Sequence, residues 1–151
     1  MTSYRQALRA ALAAAAAIVL VAGCGMMPAQ SNMVAFTTQM RSANEVPPAD
    51  SNGTGQVDAM LNKDTNVLSW NLSYSGLSGP ATAGHFHGPA MEGANAGVVV
   101  PFPGAPSSTM SGQATLTAAQ AADLTAGKWY ANIHTAKFPG GEIRGQMKAR
   151  R

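Results

Sequence analysis

The chain has 151 residues, 46% of them hydrophobic and 11% charged, with ten lysines and arginines against seven aspartates and glutamates. This is enough apolar material for one domain around one core, and a net charge of +3 without a basic stripe gives no electrostatic case for nucleic acid as a partner. A single cysteine, Cys24, excludes an internal disulfide, so the domain has to hold together by its core.

The N-terminus reads as a targeting segment. Residues 1–9 carry Arg5 and Arg9, and residues 10–21 are an apolar, alanine-rich run too short for a comfortable membrane span. It ends in Val21-Ala22-Gly23-Cys24, which resembles the lipobox of bacterial lipoproteins. That resemblance implies cleavage after residue 23 and lipidation of Cys24, and several acyl chains hold firmly at about 0.8 kcal/mol per buried methylene. Gly25 rather than aspartate follows the cysteine, which by the same resemblance implies the periplasmic side of the outer membrane in a bacterial cell envelope. Without residues 1–23, 128 residues remain, with eight basic and seven acidic side chains and a net charge of +1.

Residues 24–32 read as a tether from the lipidated cysteine, and residues 33–151 as the folded domain. Strand signals follow at 34–38, 57–61 and 68–74; in the last, Leu68, Trp70, Leu72 and Tyr74 alternate with Ser69, Asn71 and Ser73. Further strands are expected at 82–87, 97–102, 112–116, 128–135 and 142–148, with Asn52-Gly53 and Pro139-Gly140-Gly141 as turns. The segment 103–111 is expected to be a mobile loop. Thr117 and Gln120 form a capping box ahead of a two-turn helix that Gly127 would terminate. Seven or eight short strands with one connecting helix predict an all-β, antiparallel Greek-key β-sandwich.

Five motifs make the chain resemble the CHRD (chordin-type) domain: ANEVPP at 43–48, HFHGP at 85–89, LTAG at 124–127, WYANIHT at 129–135 and PGGEIRGQ at 139–146. The match spans about residues 34–148, nearly all of the chain beyond the targeting segment. It implies an immunoglobulin-like sandwich with a distant similarity to copper/zinc superoxide dismutase, and implies little biochemistry.

The chemistry therefore has to come from the residues. His85 and His87 stand two apart on a strand and share a face. In the 128–135 strand Trp129, Ala131 and Ile133 form the apolar parity, leaving Tyr130, Asn132 and His134 on the other. In the last strand Ile143 and Met147 are expected to face inward, and Glu142, Arg144 and Gln146 outward. Pairing these two strands across the Pro-Gly-Gly turn would gather the polar residues on one sheet face. His85, His87 and His134 are the expected ligands of one copper or zinc ion, since imidazole suits both metals. Glu45 is a candidate extra ligand, and Tyr130, Asn132, Glu142 and Arg144 are candidate supports behind the ligands. Met91 is a weaker copper(I) candidate. Three histidines are too few for the two-metal site of superoxide dismutase. No Gly-x-Ser-x-Gly elbow, helical His-Glu-x-x-His or free cysteine points to hydrolysis either, so no enzyme is predicted. The expected function is a membrane-anchored, metal-binding lipoprotein; the alternative is an envelope protein-protein contact module without metal.

Overall fold

The computed structural model describes residues 32–150. The expected signal segment, Cys24 and the expected tether up to residue 31 lie outside the described residues. Nine strands and one α-helix follow in the order β1 (Met33–Arg41), β2 (Thr54–Asn62), β3 (Val67–Ser75), β4 (Ala81–His87), β5 (Val98–Pro101), β6 (Thr109–Thr115), α1 (Ala118–Thr125), β7 (Tyr130–Thr135), β8 (Ile143–Gln146) and β9 (Lys148–Ala149). A single 3-10 turn, Ser42–Asn44, follows β1.

The strands form one continuous antiparallel sheet in the order β5-β4-β7-β8-β1-β2-β3-β6, with β9 also on β1. The half β5-β4-β7-β8 folds over the half β1-β2-β3-β6, and the chain crosses between them after β3, after β5 and through α1. This is an all-β Greek-key sandwich verging on a barrel. Residues of alternate parity fill the space between the halves. Val57, Ala59 and Leu61 come from β2, Leu68, Trp70 and Leu72 from β3, and Ala131 and Ile133 from β7. Phe86 of β4 meets Trp70 of β3 edge-on at 5.3 Å and Phe102 at 5.0 Å, joining the two halves through aromatic contacts.

All eight expected strands form, and β1, β2 and β6 are longer than their apolar patterns indicate. Thr109, Met110 and Ser111 pair with Ser73, Leu72 and Asn71, so the last third of the expected 103–111 loop is strand. Polar side chains on the solvent face conceal such extensions from a hydrophobicity pattern, because the ladder needs only backbone groups. The helix is as expected: Thr117 Oγ1 accepts from Gln120 N at 3.2 Å, and Gln120 Oε1 accepts from Thr117 N at 2.8 Å.

Candidate metal centre

The β4–β7 ladder sets the site. His85 lies opposite Asn132, His87 opposite Tyr130, and Ala83 opposite His134. Cross-strand partners share a face, so all six of these side chains rise on the same side of the sheet. On the next strand Arg144 lies opposite Asn132 and Gln146 opposite Tyr130. The apolar parity, Ala131 and Ile133, goes to the core as expected.

The three imidazoles converge. One ring nitrogen from each of His85, His87 and His134 falls within 4.8 Å of the other two. His85 Nδ1 and His134 Nε2 are 3.2 Å apart. Two backbone carbonyls fix the orientation of the rings: His87 Nδ1 bonds Ala96 O at 3.0 Å, and His134 Nδ1 bonds Pro139 O at 2.9 Å. Each carbonyl needs an N–H on that nitrogen, so the Nε2 atom of each ring is the one left to offer a lone pair to the centre. Burial first, and the neighbouring rings second, push the His85 pKa below the ordinary histidine value. Burial also lowers that of His134, more than the Pro139 hydrogen bond raises it. Both rings are therefore neutral at pH 7, the state a metal ligand requires.

Asn132 stands between the rings, its Oδ1 3.0 Å from His87 Nε2 and 3.0 Å from His134 Nε2. On its other side it meets Glu45, where it favours the ionised carboxyl. Glu45 is buried, and its own carboxyl is pushed up to about 7, mainly by desolvation, with the Arg144 charge and bonds from Val46 N–H and Asn132 partly opposing. It is not among the converging ligand atoms. Gly141 makes room for it: a Cβ there would sit 2.3 Å from Glu45 Oε1, and φ is +132°.

Tyr130 and Arg144 support the site through a stack. The Tyr130 ring lies parallel to His87 at 4.8 Å, and the Arg144 guanidinium covers the Tyr130 ring at 3.4 Å from its centroid. This sheet face, expected to face outward, is roofed by residues 88–97. Arg144 donates to Asn95 Oδ1 at 2.7 Å and to Ala94 O at 2.5 Å. Tyr130 Oη accepts from Ala96 N at 3.1 Å, and Gln146 Nε2 reaches Ala90 O at 2.9 Å. The roof is held by hydrogen bonds that no parity argument contains.

Glu142 is a correction to the expected polar face. It precedes β8, is fully buried, and accepts from Ser51 Oγ at 2.6 Å, Ser78 N at 2.7 Å, Ser78 Oγ at 2.7 Å and Thr135 Oγ1 at 2.5 Å. Burial alone would raise its pKa, but these hydrogen bonds outweigh it and hold the carboxyl below the usual range. It ties the ends of three segments together, away from the histidines. Met91 is 63% exposed. The carbonyls of Ala96 and Pro139 could not be foreseen, since any residue carries one.

A family model for the CHRD domain matches residues 36–147. The chain belongs to the CHRD domain family. Searches of curated proteins and of solved structures return no significant match. In this CHRD domain the HFHGP motif supplies His85 and His87, WYANIHT supplies Tyr130, Asn132 and His134, and ANEVPP supplies Glu45. PGGEIRGQ supplies the Pro139 carbonyl, the Gly141 clearance and Arg144. Four of the five motifs thus meet around one point.

Proposed function

We propose that this CHRD protein is a lipid-anchored envelope protein that binds one zinc or copper ion through His85, His87 and His134, without catalysing a reaction. The observation that carries the metal reading is the convergence of lone pairs. Asn132 Oδ1 lies 3.0 Å from the Nε2 atoms of both His87 and His134, and the Nδ1–H of each of these rings is taken by a backbone carbonyl. His85 Nδ1–H can satisfy one of these acceptors at most. A cation at the centre replaces the repulsion with attraction. The donor set suits the metals named, as imidazole is a ligand for both. When bound, the ion would supply a positive charge around which the β4–β7 face and its roof organise.

Titration of the protein with Zn2+ or Cu2+ is expected to saturate at one equivalent. At a hundred times the dissociation constant the ion should stabilise the fold by about 2.7 kcal/mol, visible as a raised melting temperature. His87→Ala and His134→Ala should abolish both effects. An unchanged melting temperature would defeat the metal reading and favour a contact module. The anchor rests on the lipobox resemblance at Cys24. Wild type should incorporate labelled fatty acid and sediment with membranes, and Cys24→Ser should do neither; a labelled serine variant would refute the anchor.

A further inference from the structure

Building on the metal reading, we propose that Asn132 Oδ1 is the fourth ligand atom of the site, completing an N3O shell that takes a divalent ion, Zn2+ or Cu2+, in preference to copper(I).

The distances support this donor set. Ligand atoms about 2.0–2.1 Å from a tetrahedral ion lie about 3.3–3.4 Å from one another. Asn132 Oδ1 is 3.0 Å from two of the imidazole nitrogens, and the His85–His134 edge is 3.2 Å. Three of the six edges of such a tetrahedron are thus already near its length, and the remaining imidazole nitrogens lie within 4.8 Å of one another. A shell completed by water would need the amide turned away, and here it is held in place. On its other side Asn132 meets the Glu45 carboxyl, an acceptor to which the amide nitrogen turns, while its oxygen is the end within 3.0 Å of the two rings. Glu45 in turn is fixed by burial under Gly141, whose missing side chain leaves it room. This is the arrangement by which a ligand is oriented from behind.

The same donors indicate the ion. An amide oxygen is a hard ligand and imidazole a borderline one, whereas copper(I) is favoured by thiolate and thioether. The proposed donors include no sulfur, and Met91 is largely exposed to solvent.

The purified full chain would be loaded with Co2+ as a spectroscopic probe, and its affinities for Zn2+, Cu2+ and copper(I) measured by competition with chelators. Wild type should show the intense visible bands of four-coordinate Co2+ and should bind Cu2+ and Zn2+ more tightly than copper(I). Asn132→Ala should weaken Zn2+ binding on the order of 10–100-fold and alter the Co2+ bands. Asn132→Asp, which keeps an oxygen in place, should retain tight binding with shifted bands; it decides the matter if the alanine variant does not fold. Unchanged affinity and spectrum in both variants, with His87→Ala losing the ion, would overturn the fourth ligand while leaving the three-histidine site standing. Tighter copper(I) than Zn2+ binding would overturn the ion preference. Absence of any binding by wild type would overturn this proposal together with the metal reading.

Discussion

Glu45 and Glu142 are both buried carboxylates, and their surroundings drive them in opposite directions. Glu142 has four hydrogen-bond donors, and its folded pKa lies below the ordinary value. It therefore contributes stability above the unfolded pKa, and that stability is lost as pH falls through the lower folded value. Glu45 has too few donors, with Oε1 unpartnered, and its folded pKa is about 7. Between about 4.5 and 7 the folded state holds a proton that the unfolded chain has released, so its contribution declines as pH rises, by at most about 3 kcal/mol. In metal-free protein His85 and His134 act the other way, because their lowered pKa values cost stability as pH falls through the ordinary histidine value. Glu45→Gln should remove the Glu45 share, so that its stability at pH 7 relative to pH 5 is higher than that of wild type, and Glu142→Gln should destabilise at pH 7 and lose its effect in acid. Melting temperatures across pH check both; a Glu45→Gln profile parallel to wild type would contradict the first. Sequence parity placed Glu142 by strand and face, and gave Glu45 neither. Their divergence comes from Ser51, Ser78 and Gly141, residues distant in the chain whose approach parity does not describe.

At the scale of elements, strand alternation and the capping box were legible because each follows from a local period or spacing. The helix predicts its own test: Thr117→Ala removes the bond to Gln120 N and should cost about 1 kcal/mol by denaturant unfolding. Strand β6 carries a constraint that is not local. Gly112 lies opposite Trp70, and a Cβ there would sit 2.4 Å from the indole ring. Gly112→Ala should destabilise by about 1–3 kcal/mol through displacement of that ring, with a change in tryptophan fluorescence. An unaltered protein would mean that the ring yields without cost. The extra residues of β1, β2 and β6 escaped the sequence pattern because their solvent faces are rich in Thr, Ser and Gln, which read as loop until a neighbouring ladder claims their backbone.

For the whole molecule, the two halves of the sheet depend on a few aromatic contacts. Phe86 is fully buried and touches Trp70, Phe102 and Trp129. Phe86→Ala should cost about 3–5 kcal/mol in chemical denaturation, a large part of the stability of a domain this size. A cost below 1 kcal/mol would show that the core closes without it. Between β5 and β6 the sheet is open, and the intervening segment spans the gap: Phe102 N donates to Gly84 O at 2.9 Å and Tyr74 N to Ser108 O at 2.9 Å. The sequence by itself determined the all-β class, the helix, the family and the placing of His85, His87 and His134 on polar strand faces, because periods of two and 3.6 and short motifs are local properties. Only the tertiary structure decided that the three rings meet, that Asn132 and Glu45 lie behind one another, and that the roof covers them. Those outcomes depend on strand order and register, and on hydrogen bonds from backbone carbonyls, which have no signature in side-chain identity.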